Sequence, residues 1–272
     1  MDINKQTGCA TVTKITAFHE TLLYTKKEGV SQMKWMIPKQ HGAWSMLILP
    51  FLLGGIVGGW TLAHVPFAIA WLFVYMGAFF LFQYVKQRKK SNELLRTVVT
   101  YLGISTVAAI PVFIAEWRLV WFVLAMIPFG LVNAYFAKIK DERNVWNDVS
   151  AVTSFCIGGM ASYYLGAQTL GATIVWLFIL PYLYFLGSIF YVKTMIREKK
   201  SALYRNISWG YHLVLVVLFI AFGYPLLALA YAPSLVRAIV FYGKKIPIMK
   251  IGIFEIVNSV FVLICLSVYL YT

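Results

Sequence analysis

Nine apolar runs of membrane-span length, separated by short loops that hold the basic residues, constrain this chain more than any motif in it. A helix needs about 20 predominantly apolar residues to cross a bilayer. On that rule spans are expected at 43–61, 65–85, 97–115, 118–137, 147–166, 170–192, 207–223, 225–243 and 250–271. The expected fold class is all-α, a polytopic membrane protein with about nine transmembrane helices. Composition agrees, because a chain that is 61% apolar and only 12% charged cannot cover a soluble domain with polar side chains. The connections at Gly223–Tyr224–Pro225 and Leu165–Gly166–Ala167 are so short that the spans they join must be antiparallel neighbours.

The net charge of +14 raises nucleic acid as a partner, but its distribution excludes that class. The basic residues form short clusters between apolar runs, with no long basic face on a soluble module. With the N-terminus in the cytoplasm, "KQRKKSNELLR", "KIKDERNVW", "KTMIREKKSALYRN" and "GKKIPI" all fall on the inner side, while the opposite side keeps almost nothing basic beyond Arg118. The positive-inside rule then predicts a multi-pass protein of the bacterial inner membrane, N-terminus cytoplasmic and C-terminus extracytoplasmic.

Residues 1–32 are mixed and polar, with neither the charge pattern nor the cleavage site of a signal peptide. Codons for "KEG" at 27–29 can spell AAG-GAG-GN, a bacterial ribosome-binding sequence just upstream of Met33. Two readings stay open, a polar cytoplasmic tail or a true start at Met33; either leaves 33–272 as the transmembrane domain. Cys9, Cys156 and Cys265 are too far apart for a disulfide framework or a zinc site and are expected as small apolar packers. In "GGIVGGW" at 54–60, Gly54 and Gly58 share a helix face, as do Gly55 and Gly59, which predicts close helix packing rather than a phosphate loop.

Ionisable and amide groups in or at the mouth of a bundle are costly and so mark candidate sites. They run Lys39, Gln40 and His41 before span one, Gln83 and Lys86 ending span two, Asn133 and Lys138 ending span four, Asn147 and Asp148 opening span five, and Lys193 and Arg197 after span six. His212, Arg237, Glu255 and Asn258 lie within spans seven to nine. In the expected topology most of these sit at cytoplasmic helix ends, where distant helices can place them around one inward-facing cavity. Simpler roles stand beside this one. Arg88, Lys89 and Lys90 suit anionic lipid headgroups, Lys138 and Lys140 can snorkel, and His212 suits a hydrogen-bonded interior position. Arg237 and Glu255 are plausible ion-pair partners, and Asp148 suits helix capping better than metal binding.

"PKQHGAWSMLILPFLLGG", "NAYFAKIKDERNVWNDVSAVTSFCIGGMASYYLG" and "YLYFLGSIFYVKTMIRE" resemble the YwiC-like family of bacterial membrane proteins, over essentially 33–272. That resemblance carries no activity. More remotely, the nine-span layout is similar to the UbiA superfamily of intramembrane prenyltransferases. That resemblance implies a UbiA-like bundle and, after spans two and six, two aspartate-rich motifs that hold magnesium against a prenyl diphosphate. This chain departs from the pattern at both places, reading "FQYVKQRKK" and "YVKTMIREKK", with Lys193 and Arg197 at the spacing of the paired aspartates. No cofactor is therefore expected, magnesium included, and no metal ligands are assigned.

An inverted site of this kind can bind an anion directly, since Lys193 and Arg197 are four residues apart on one helix face and Arg offers a planar fork to phosphate or carboxylate. The expected anion-binding set is Lys39, His41, Gln83, Lys86, Asn133, Lys138, Lys193 and Arg197, with His41 and Asp148 as candidate acid or base. The expected ligand is an isoprenoid or other lipid with an anionic head, its tail between helices in a cytoplasm-facing cavity. Two functions fit: a divergent prenyl-type transferase, or a non-catalytic binder, carrier or assembly factor for a membrane quinone, haem-like molecule or lipid. No protein partner is identified by these residues.

Overall fold

The computed structural model describes residues 36–38, 41–87 and 91–271, the side chain of His41 excepted. The polar tail, Met33, Lys39, Gln40 and Arg88–Lys90 thus lie outside the described residues. Pro38–Thr272 forms one compact unit. Among its described residues there are nine α-helices and no strand: α1 (His41–Gly58), α2 (His64–Lys86), α3 (Asn92–Ala115), α4 (Val120–Lys138), α5 (Val145–Ala167), α6 (Ala172–Ile196), α7 (Ala202–Ala221), α8 (Pro225–Val240) and α9 (Ile248–Tyr271). A short 3₁₀ turn, Trp117–Leu119, leads into α4.

All nine expected spans are present as helices. Six begin before the expected start, and α3, α5 and α7 do so because each starts at a polar N-cap outside its apolar run. Ser91 Oγ accepts from Leu94 N–H, Ser201 Oγ from Tyr204 N–H, and Asn144 Oδ1 from Trp146 N–H, which carries polar residues into the first turns of α3, α7 and α5. Among the described residues six helical segments are long and apolar enough to cross a membrane: α2, α3, α6, α7, α9 and Trp117–Lys138, which includes α4. Gly42–Gly58 and α8 are shorter apolar helices.

The helices alternate in direction. α2 and α3 are antiparallel, Ser105 Oγ donating to the Ala70 carbonyl at 2.8 Å while Gly77 meets Leu102. α1 and α5 are parallel and unusually close. A Cβ on Gly54 would lie 2.1 Å from the Gly159 carbonyl oxygen, and one on Gly58 2.4 Å from that of Tyr163. The predicted packing role is met at Gly54 and Gly58, where only hydrogen lets the two backbones touch, but not at the second pair: Gly55 faces the Trp60 ring, and Gly59, at φ 85° just past the end of α1, has open space beside it. Ser162 Oγ, buried in the same seam, donates to the Phe51 carbonyl at 2.8 Å. On the other side of α6, Tyr231 OH of α8 donates to the Leu180 carbonyl at 2.6 Å, within a core that holds Leu53, Leu177, Leu180, Leu227 and Leu266.

This alternation gathers the charges. Among the described residues every Lys and Arg lies at the end of the bundle formed by the starts of α1, α3, α5, α7 and α9, except Arg118 and the buried Arg237. The clustering foreseen from the loops is thus a property of the folded bundle.

Candidate functional site

The basic end is built around residues 139–144, which join α4 to α5. α4 stops at Lys138, and Lys140 takes a left-handed conformation at φ 60° while Asp141 N–H donates to the Phe136 carbonyl at 2.9 Å, reversing the chain. Asn144 then caps α5. The cap falls at Asn144 and not at Asp148, where the sequence pattern predicts it. Asn144 has the extended backbone that a cap needs (φ −64°, ψ 142°), whereas Asp148 is already inside the first turn.

Amides from two helices clamp the loop. Asn133 Nδ2 of α4 donates to both the carbonyl and the Oδ1 of Asn147 at 2.8 Å, and Asn147 Nδ2 donates to the Glu142 carbonyl at 3.0 Å. α2 reaches the same loop through Lys86, whose Nζ lies 2.7 Å from Glu142 Oε2 in an exposed pair. α6 reaches it through Lys193, a buried ammonium that donates to the Arg143 carbonyl at 2.6 Å and sits 3.4 Å from Asp148 Oδ2.

Beside this loop lies an open depression of about 880 Å³, lined by Arg143, Asn144, Val145 and Trp146 of the loop and α5, Lys193, Ile196, Arg197 and Glu198 at the end of α6, and Tyr204 of α7. Lys193 and Arg197 share this wall, as their spacing predicts, but they differ in role. Lys193 is occupied by Asp148 and the Arg143 carbonyl, whereas Arg197 is exposed. Arg143, also exposed, faces the same space. Two guanidiniums at one rim can grip a phosphate or carboxylate in bidentate fashion.

Of the predicted site residues, Lys86, Asn133, Asp148, Lys193 and Arg197 come together around 139–144. Gln83 and Lys138 are exposed and do not line the depression. Lys39 and the His41 side chain lie outside the described residues, although the backbone of His41 opens α1 at the same end of the bundle. Sequence reasoning passed over Arg143. Its signal was present in "KDERN", a basic side chain one residue before a capping Asn and so fixed next to a helix start. His64 was also passed over. Buried at the opposite end, it accepts from Thr61 N–H at Nδ1 (3.0 Å) and makes a 2.9 Å hydrogen bond from Nε2 to the Ser162 carbonyl.

A second polar cluster lies inside the bundle. Arg237 of α8 forms an ion pair with Glu255 of α9, the pairing foreseen from sequence, and its Nη2 donates to Ser188 Oγ of α6 at 2.9 Å. Asn258 Nδ2 donates to Tyr184 OH (3.0 Å) and Ser234 Oγ (2.9 Å), and Ser259 Oγ lies 3.1 Å from Tyr184 OH. The guanidinium also stacks 4.7 Å above the Tyr191 ring. His212 is buried with Nδ1 2.7 Å from the Ser208 carbonyl, the interior role expected of it.

A nine-helix bundle with several helices of spanning length defines a polytopic membrane protein. Within that class the chain belongs to the YwiC-like family, whose family model, described as "YwiC-like protein", matches residues 37–163. It is 40% identical over 239 residues to "Uncharacterized protein YwiC" of Bacillus subtilis (strain 168), covering 88% of this chain and 99% of that one. It is 36% identical over 236 residues to "Uncharacterized protein" of Haemophilus influenzae (strain ATCC 51907 / DSM 11121 / KW20 / Rd), covering 86% and 98%. No solved structure gives a significant match.

Proposed function

We propose that this protein binds a lipid with an anionic head, an isoprenoid among the candidates, at the basic end of the bundle, with the head in the depression between the α4–α5 loop and the end of α6. The observation that carries this reading is the pair of exposed guanidiniums, Arg143 and Arg197, at the rim of one depression of about 880 Å³. Asn144 and Tyr204 add neutral polar groups to the wall, and Val145, Trp146 and Ile196 give an adjoining apolar surface for the start of a tail. Lys193 contributes by holding the loop in place, because its ammonium already has two partners. The proposal extends to a UbiA-like placement of the ligand and to a cytoplasmic orientation of this end, which follows from the positive-inside rule.

Binding without turnover is favoured over prenyl transfer by one contact. Asp148, a candidate acid or base, is paired with Lys193 at 3.4 Å rather than turned free into the depression. Native mass spectrometry with lipid extraction, comparing wild type with Arg143→Ala/Arg197→Ala, tests the reading. An isoprenoid or anionic lipid that co-purifies with the wild type and is lost from the variant is expected; identical bulk phospholipids on both would remove the site. Incubation with prenyl diphosphates then separates the functions, because a mass change in the bound lipid marks transfer.

A further inference from the structure

The end of the bundle opposite the basic one holds a groove between α4 and α5. Asn133 ties these antiparallel helices together at the basic end through its bonds to Asn147, and toward the far end they leave a space of about 460 Å³. Ile157, Met160 and Tyr164, at i, i+3 and i+7, line it from a single face of α5. Trp121, Phe122 and Ala125 line it from α4, and Leu170, in the loop after α5, carries the lining to the helix ends. Seven residues of helix give the α5 wall a length of about 10 Å. The volume falls within the range of about 300–1,000 Å³ usual for small-molecule sites.

One end of this apolar groove is charged. Arg118, in the turn before α4, also lines it. The residue is exposed, and among the described residues it is the only lysine or arginine at this end. Its guanidinium has little to hold. Nη1 lies 3.5 Å from Tyr164 OH, beyond the usual range of about 2.7–3.2 Å, and among the described residues it forms an ion pair with no carboxylate. Glu116, the single described carboxylate at this end, is buried and accepts from the Arg118 backbone N–H at 3.1 Å, capping the turn that carries the guanidinium.

The chemistry of that end selects the head of a ligand, and its surroundings select the tail. A guanidinium only donates, and Tyr164, whose oxygen faces Arg118, keeps its hydroxyl hydrogen for a third group. Two donors side by side call for an anionic acceptor, and Arg meets phosphate with two parallel bonds. Trp117 and Trp121, both exposed, flank Arg118 in the chain as aromatic residues do at the depth of lipid headgroups. Trp121, Leu124 and Ala125 are exposed on the surface that a bilayer covers, so a chain can enter the groove from the side. We propose that the α4–α5 groove binds one anionic phospholipid of the membrane, with its phosphate on Arg118 and Tyr164, one acyl chain between the helices and the other in the bilayer. This site is separate from the depression at the basic end, since eleven residues of α5, about 16 Å, lie between Trp146 of the one and Ile157 of the other.

Photocrosslinking of the full chain in phosphatidylcholine nanodiscs tests this. One probe is phosphatidylglycerol with a diazirine partway along an acyl chain, present at a low fraction; the control is phosphatidylcholine with the same chain, and adducts are mapped by peptide mass spectrometry. Ala125, Ile157 and Met160 should be labelled several-fold more by the phosphatidylglycerol probe, and the excess should vanish in Arg118→Gln. Ala125→Trp, which fills the groove and leaves Arg118 in place, should remove the labelling of Ile157 and Met160. Arg143→Ala/Arg197→Ala should leave it unchanged, so the site at the basic end can fail without this one failing. Equal labelling by the two probes in the wild type, or an excess that survives Arg118→Gln, would reduce the groove to ordinary lipid-facing surface and overturn the proposal. Stronger labelling by a diazirine fatty acid at the same fraction would overturn it too, by making the occupant a free acid.

Discussion

Two ion pairs, each a basic side chain with a glutamate, stand in opposite surroundings. Arg237–Glu255 joins α8 to α9 inside the bundle, with side chains 6% and 7% exposed, whereas Lys86–Glu142 joins α2 to the α4–α5 loop at the basic end, with side chains 42% and 37% exposed. The first is embedded in hydroxyls and an amide from three helices; the second stands in solvent. Their contribution is set by what surrounds them. A buried charge that loses its partner pays the full cost of desolvation, while an exposed one returns to water. Lys193–Asp148, at 7% and 30%, lies between them and shows how the interior scaffold passes into the site.

The sharpest way to break this comparison is to remove one half of the interior pair. Arg237→Met leaves Glu255 buried without its cationic partner and should destabilise the protein by about 3–5 kcal/mol. Arg237→Met/Glu255→Leu, which removes both charges, should recover most of that loss, because the network then keeps only the neutral bonds of Asn258, Tyr184 and Ser259. Unfolding midpoints in detergent micelles check both. A single variant within about 1 kcal/mol of wild type would put the interior pair in the same class as the surface one.

Lys193→Met comes next. It strips the donor from the Arg143 carbonyl and the partner from a partly buried carboxylate, for an expected loss of about 1–3 kcal/mol. The effect should be local as well as global, with amide exchange accelerating across 139–144 and the start of α5 but not in α8 or α9. Uniform acceleration would mean that Lys193 supports the bundle as a whole rather than its loop.

The contrast also explains what was legible in the sequence. Spans are visible because each is a continuous apolar run, and the basic end is visible because Lys and Arg mark loops. The starts of α3, α5 and α7 were less legible, since Ser91, Asn144 and Ser201 cap through local hydrogen bonds that hydropathy does not register. Arg237 and Glu255 stood out as charges in apolar runs. The groups that complete their environment did not: Ser188, Tyr184 and Ser234 read as ordinary span residues until three helices meet. In the site, the spacing of Lys193 and Arg197 placed both on one wall. That Lys193 is occupied depends on Asp148 and the Arg143 carbonyl, 45 and 50 residues away in the chain, and spacing along one helix carries no information about them.

The smallest expected effect sharpens the surface side of the comparison. Lys86→Ala removes an ammonium 2.7 Å from Glu142 in an exposed pair. Both groups are hydrated when apart, and holding two long side chains together costs entropy, so the stability change should stay below about 1 kcal/mol. Whatever remains should vanish as salt rises, because exposed charges are screened over about 8 Å at physiological ionic strength. The loop itself should stay in place, since Asn133 and Asn147 hold it through neutral bonds that salt does not weaken. Measuring the unfolding midpoints of wild type and Lys86→Ala at low and high salt checks this. A difference that persists in high salt would show that Lys86 anchors the loop by more than its charge, and would move this pair toward the class of Lys193–Asp148.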